Sequence, residues 1–199
     1  MADIEPVVLP ERRGGHLSRL AEAIAWAIDA HGEQRRKGTD VPYHAHLLGV
    51  ASLVLNDGGS EDEAIAGILH DLVEDTDATV DDVRARFGDT VARIVDACTD
   101  AYERPKPPWG ERKRAYIEHM RTAAPDELRV SLADKLYNAS SIEWDLRVRG
   151  DDLWRVFGSG RDGQIWYYRS LADIFLERAP GPMADELDRV VRRLEEGGP

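Results

Sequence analysis

Sulfur chemistry is almost missing from this chain: its 199 residues hold one cysteine, Cys98. A lone thiol excludes an internal disulfide framework and a thiolate-rich zinc site, and it fits a reducing compartment. No apolar run approaches the ~20 residues that a bilayer span needs, and the opening residues lack the basic-then-apolar pattern of a secretion signal. A cytoplasmic protein with no membrane partner is the expectation. Basic residues are also short, 26 Lys and Arg against 38 Asp and Glu, for a net charge of -12. Little is left to neutralise a long phosphate backbone, which excludes a general nucleic-acid binder. A small polyanion stays compatible, provided that a local basic cluster or a metal meets it.

Alternating strand-type segments are scarce as well, so the expected class is all-α, a single-domain helical bundle. Apolar residues recur at helical spacing through Leu17, Leu20, Ala23, Ile24, Ala27 and Ile28, predicting a helix over about 17–34. Further helices are expected over about 44–55, from Ser60 toward His70, over 79–87, 89–99, 110–123, 126–147, 162–178 and 183–196. Ser60 with Glu63 reads as a capping box, and Thr79 as a second N-cap. Pro105, Pro107 and Pro108 break the pattern into a loop. Residues 1–15, with Pro6, Pro10 and Gly14-Gly15, read as a flexible lead-in. The remainder, 16–199, reads as one domain whose helices over 150–196 either complete the core or pair two copies in a homo-oligomer.

Four features carry chemistry: His44-Ala45-His46, His70-Asp71, Glu74-Asp75, and Asp134 within Leu132-Ala133-Asp134-Lys135-Leu136. Imidazole nitrogens with carboxylate oxygens suit Mn, Fe, Zn or Mg. Helical neighbours point about 100° apart, so His70 and Asp71 can serve one ion only where a helix face meets a cleft. Asp134 sits among Val130, Leu132, Ala133 and Leu136, where a carboxylate needs a partner such as a metal. Glu74-Asp75 follow one turn after His70-Asp71.

Taken in order, these features resemble the HD phosphohydrolases and, within them, the alarmone hydrolase domain of RelA/SpoT homologues. The resemblance covers about residues 17–145. Its first motif is Ala30-His31, Gln34, Arg36-Lys37, Pro42-Tyr43 and His46; its second is Leu69-His70-Asp71-Leu72-Val73-Glu74-Asp75-Thr76. The third runs from Phe87-Gly88 through Val95 and Thr99, and the fourth is Leu132-Ala133-Asp134-Lys135-Leu136-Tyr137-Asn138. The resemblance implies about ten helices around one Mn(II) ion held by His46, His70, Asp71 and Asp134. It implies that Glu74 and Asp75 position and activate the hydrolytic water. It also places Arg36, Lys37 and Asn138 beside guanosine tetraphosphate (ppGpp), from whose 3′ position pyrophosphate is released. The chain departs from the pattern by one extra residue in the Gly38–Val41 loop, by Leu47 for Pro, Cys98 for Gly and Tyr137 for His, and none of these removes a ligand or the acidic pair. The length leaves no room for a synthetase domain, so a small stand-alone hydrolase is expected.

Other substrates of the same chemistry are NADPH or a deoxynucleotide, and a different class altogether is a non-catalytic ligand-binding module. The remaining aromatic and basic residues read as structural. Arg112-Lys113-Arg114 is, with Arg36-Lys37, one of two local basic clusters that could share phosphoryl charge, although a solvated helix face is the commoner reading of such a run. Trp109 could stack on a nucleobase, though anchoring its loop to the core is the commoner case, and Trp144, Trp154, Trp166, Tyr167 and Tyr168 read as core of the C-terminal half. His31 is expected to be structural near the site, His44 to lie off the ligand face, His16 and His119 to be surface residues, and Cys98 to be a small buried side chain.

Overall fold

The computed structural model describes residues 19–102 and 105–197. The expected lead-in over 1–15, His16, Leu17 and Arg104 lie outside the described residues. Among the described residues ten α-helices follow one another: α1 Arg19–His31, α2 His44–Asn56, α3 Glu61–Leu69, α4 Leu72–Asp75, α5 Val80–Phe87, α6 Asp89–Cys98, α7 Trp109–Met120, α8 Pro125–Arg149, α9 Gly160–Arg178 and α10 Pro182–Glu196. A 3₁₀ segment, Gly150–Val156, joins α8 to α9. Among the described residues the only extended pairing is an isolated bridge between Arg35 and Pro42. The all-α expectation holds.

Local chemistry sets most boundaries. Ser60 accepts from the Glu63 backbone N–H while the Glu63 carboxylate accepts from the Ser60 N–H, and Thr79 and Asp82 repeat this box at α5. Pro125 opens α8, and Asp126 and Glu127 place negative charge on its positive end. α1 stops at His31, three residues short of the expected end, because Gly32 takes φ +49° and turns the chain away.

α8 is the axis of the molecule, buried along most of its length from Glu127 to Leu146. α2, α3, α6, α9 and α10 all pack on it. The last two helices therefore close the core: Leu171, Phe175, Leu187, Val191 and Leu194 join one continuous apolar cluster with Leu47, Ile65, Val95 and Ala133. Two glycines let helices approach closely. A Cβ on Gly49 of α2 would lie 2.0 Å from the Tyr137 ring of α8, and one on Gly67 of α3 would lie 3.4 Å from the Ala51 Cα of α2. These approaches bring His46, His70 and Asp134 to one point.

Candidate metal centre and nucleotide cleft

His46 lies on the first turn of α2, fully buried. His70 and Asp71 occupy the short break between α3 and α4, and Asp134 faces them from the middle of α8. The two imidazoles meet nitrogen to nitrogen, with Nε2 atoms 3.1 Å apart. Asp71 Oδ2 stands 3.4 and 3.0 Å from the Nε2 atoms of His46 and His70, and Asp134 Oδ1 stands 3.3 and 3.6 Å from them. His46, His70 and Asp134 offer donor atoms that all lie within 4.8 Å of one another. Asp71 sits at the edge of this group, more exposed than the others.

Each donor is held from behind. His70 Nδ1 lies 2.8 Å from the Gly67 carbonyl, which fixes the proton on Nδ1 and turns the Nε2 lone pair inward. The Tyr43 hydroxyl donates to Asp71 Oδ2 at 2.6 Å. Asn138 donates to Asp134 Oδ1 and Lys135 to Asp134 Oδ2. His46 Nδ1 is buried with no hydrogen-bond partner.

The electrostatics point the same way. Burial opposes charge on His70, yet the Asp71 and Asp134 carboxylates outweigh it and hold the imidazole pKa well above its ordinary value. Burial would raise Asp71, but His70 and His46 hold it well below the usual carboxylate range; Lys135, His46 and His70 do the same for Asp134. The cluster is thus a buried anionic basin that demands positive charge. Two inward imidazole nitrogens and two carboxylates satisfy the coordination needs of a divalent metal.

Glu74 and Asp75 form α4, where the Asp75 N–H donates to the Asp71 carbonyl. Lys106, from the proline-rich loop, bridges the pair: its Nζ is 2.6 Å from Glu74 Oε1 and 3.5 Å from Asp75 Oδ1. Asp75 Oδ2 also accepts from Gln34 at 3.1 Å, whose other amide atom lies 2.8 Å from His31 Nδ1. Buried His31 stacks on Tyr43 with ring centres 5.0 Å apart, so its expected structural role has concrete partners. Burial, then the Asp100 carboxylate, push the Glu74 pKa up, and Lys106 only partly offsets them.

Beside the metal centre opens a cleft of about 510 Å³. Arg36, Lys37 and Asn138, the three residues singled out for substrate contact, all line it. Arg36 Nη2 donates to Asn138 Oδ1 at 2.8 Å and its guanidinium lies 5.6 Å from the Tyr137 ring centre. A smaller cavity of about 240 Å³ shares Lys37 and Asn138 and adds Lys113 and Lys135. Burial and the neighbouring Lys135 charge lower the Lys113 pKa. Arg36, Lys37, Lys113 and Lys135 thus gather basic side chains at one place in an otherwise acidic chain.

Three expectations need correction. Arg112-Lys113-Arg114 is not a solvated face: Arg112 and Lys113 both turn inward to pair with buried Asp100, and only Arg114 stays exposed. Trp144 and Trp166 are not core residues, at 67% and 40% exposure, whereas Trp154, Tyr167 and Tyr168 are buried. The third is the length of α1, given above. Trp109 does anchor its loop, edge-on to Trp166 and Tyr167. His119 is exposed, His44 half-buried, and Cys98 buried with its thiol pKa pushed up by desolvation. Sequence reasoning missed Tyr43, Asp100, Lys106 and Lys135. Tyr43 and Lys135 carried a signal, their places in the first and fourth motifs, and Asp100 and Lys106 carried none.

Comparisons with known proteins agree with this geometry. A family model described as HD domain matches residues 23–165. The mouse and human proteins called guanosine-3′,5′-bis(diphosphate) 3′-pyrophosphohydrolase MESH1 are each 41% identical over 132 residues, covering 65% of this chain and 72% of theirs. An Aquifex aeolicus protein named for the same activity is 35% identical over 134 residues, 66% of this chain but 19% of its own length. A solved metazoan orthologue of SpoT, described as hydrolysing ppGpp, superposes with a TM-score of 0.75 at 29% identity, covering 90% of this chain and 97% of that one. The motifs that meet at the break between α3 and α4 are thus those of a known fold, and the chain belongs to the HD-domain family.

Proposed function

We propose that this protein hydrolyses guanosine 3′,5′-bis(diphosphate), releasing pyrophosphate from the 3′ position and leaving guanosine 5′-diphosphate. The observation that carries the reading is the junction of two sites. A buried basin of His46, His70 and Asp134, with Asp71 at its edge, opens onto a cleft lined by Arg36, Lys37 and Asn138. The relatives named for this activity support it. In this reading His46, His70, Asp71 and Asp134 hold Mn(II), and residues 16–199 act as one hydrolase domain in the cytoplasm.

A divalent ion, when bound, supplies positive charge to phosphoryl oxygens and lowers the pKa of a water. The remaining work falls to side chains. Glu74 or Asp75 takes a proton from the attacking water, and Lys106 and Gln34 hold the two carboxylates in place for it. The water oxygen adds to the phosphorus next to the ribose. The bond from that phosphorus to the 3′ oxygen breaks, and the 3′ oxygen gains a proton. Arg36 and Lys37 share the phosphoryl charge, and Asn138 couples Arg36 to Asp134 so that substrate cation and metal ligand stay in register.

Purified protein incubated with ppGpp and Mn(II) should yield equimolar guanosine 5′-diphosphate and pyrophosphate, and chelation should stop the reaction. A panel containing NADPH and deoxynucleotides provides the contrast. Turnover of one of these with no pyrophosphate from ppGpp would overturn the substrate. No turnover of any nucleotide, with His70→Ala and Asp75→Ala indistinguishable from wild type, would point to a non-catalytic binding module.

A further inference from the structure

One face of α8 continues past the metal centre. Asp134, Asn138, Ser141 and Asp145 follow one another at spacings of four, three and four residues, which places them within about 60° of one another around the helix. Asp134 is in the metal basin, and Asn138, Ser141 and Asp145 all line the 510 Å³ cleft. Along the axis Asp145 lies about 16 Å beyond Asp134, at a rise of ~1.5 Å per residue. A base held beside Asp145 would leave Asn138 and Ser141 between it and a phosphoryl group at the metal centre.

The two middle rungs of this row are satisfied internally. Asn138 bonds to Asp134 and Arg36, and Ser141 Oγ donates to the Tyr137 carbonyl. Asp145 differs. Its carboxylate is half-buried in the cleft wall, and among the described residues it has neither a hydrogen bond nor an ion pair. Beside it stands Trp144, whose ring also lines the cleft and is 67% exposed. A large aromatic held in solvent next to an unpaired carboxylate, on an apolar-walled cleft, is a platform with one hydrogen-bonding edge.

Resting on the proposed substrate, we infer that Asp145 is a specificity residue that reads the base as guanine, with Trp144 covering the ring. Guanine presents two parallel donors on its pairing edge, N1–H and the 2-amino group, and an ionised carboxylate has two acceptor oxygens and no donor. Adenine presents one donor beside an acceptor nitrogen, which would face a carboxylate oxygen lone pair to lone pair. A charged acceptor that finds its donors, against one that does not, discriminates by about 10–100-fold.

The test uses the full chain with Mn(II), on ppGpp, its adenosine counterpart and its inosine counterpart, which lacks the 2-amino group. Wild type should prefer guanosine over adenosine by about 10–100-fold in kcat/KM, with inosine between. Asp145→Asn keeps the shape but turns the edge into one acceptor and one donor, the pattern that complements adenine. The guanosine-to-adenosine ratio should therefore fall at least tenfold, with the loss on guanosine carried by KM. Trp144→Ala should weaken all three substrates alike. A ratio unchanged in Asp145→Asn, in an enzyme that turns over ppGpp, overturns the inference and leaves the proposed function standing. A wild-type protein inert on ppGpp overturns both.

Discussion

His46 and His70 face each other through their Nε2 atoms at 3.1 Å, deep in the protein, with a carboxylate on either side. The Gly67 carbonyl claims the His70 Nδ1 proton, so both inward nitrogens and both carboxylates compete for whatever positive charge is present. Carboxylates this close hold the His70 imidazole pKa well above its ordinary value, and a bound divalent ion would replace that proton as the neutralising charge. Removing the divalent ion should lower the melting temperature, because an ion that binds only the folded chain stabilises it by about 2.7 kcal/mol at a hundredfold excess over Kd. His70→Ala should abolish this metal-dependent shift and cut turnover by ~10³-fold or more. Thermal unfolding with and without chelator, alongside metal content by mass spectrometry, checks it. A chelator-insensitive melting temperature in wild type would count against the centre.

Tyr43 tests the support behind the ligands. Its hydroxyl donates to Asp71 Oδ2 at 2.6 Å while its ring stacks on His31. Tyr43→Phe keeps the stack and deletes the donor. Ligand-supporting hydrogen bonds of this kind are worth about 10–100-fold in metal affinity. Metal titration should show a loss in that range, with global stability changed by only about 1 kcal/mol. An unchanged affinity would mean that Asp71 is oriented by the metal alone.

The sequence carried the local rules well and the long-range ion pairs badly. Ser60-Glu63 and His70-Asp71 could be read because capping and ligand geometry depend on neighbours a turn apart. Asp134 could be read because a carboxylate among Val130, Leu132 and Leu136 violates the apolar pattern. Asp100 could not: nothing near it in sequence says that Arg112 and Lys113 turn inward to meet it. Lys106 was hidden among prolines for the same reason, since its partners Glu74 and Asp75 lie about thirty residues earlier. Trp144 misled differently, because an aromatic at core spacing reads as core whether or not a neighbour covers it.

Gly49 tests the helix contact that aligns the ligands. A methyl there would meet the Tyr137 ring well inside contact distance, so either the ring or α2 must move. Overpacking of this sort costs about 1–3 kcal/mol. Gly49→Ala should lower the melting temperature by roughly 2–12 °C, at about 2–4 °C per kcal/mol for a chain of this size. The same change made in a Tyr137→Ala background should cost almost nothing. Equal costs in both backgrounds would remove the Gly49–Tyr137 contact as the cause.

Asp100 tests the buried charge cluster. Its side chain is 4% exposed, and Asp100→Asn leaves the Arg112 and Lys113 cations facing inward without a carboxylate. Breaking a buried pair in this way costs about 3–5 kcal/mol. Burial opposes its charge, but Lys113 and Arg112 hold the Asp100 carboxyl below its ordinary range. A depressed carboxylate contributes its stability above the unfolded pKa, near 3.9, and loses it as pH falls through the lower folded value. The gap between wild type and variant in urea unfolding should therefore be widest at neutral pH and shrink below about pH 4. A gap that stays constant down to pH 3 would show that Asp100 acts through shape and not charge.

Glu74 stands between opposing neighbours, and this makes its role separable from that of Asp75. Burial and the Asp100 charge raise its pKa, and Lys106 lowers it. If Glu74 accepts the water proton, the acidic limb of kcat/KM against pH follows its titration. Lys106→Met removes the lowering neighbour and should move that limb to higher pH. Asp100→Asn removes a raising neighbour and should move it to lower pH, in variant protein whose folding is checked by circular dichroism at each assay pH. Opposite displacements in the two variants would assign the proton to Glu74. Asp75 has Gln34 as its second partner and lies beside Lys106 at the longer distance of 3.5 Å. A limb that moves in neither variant would take the base role away from Glu74.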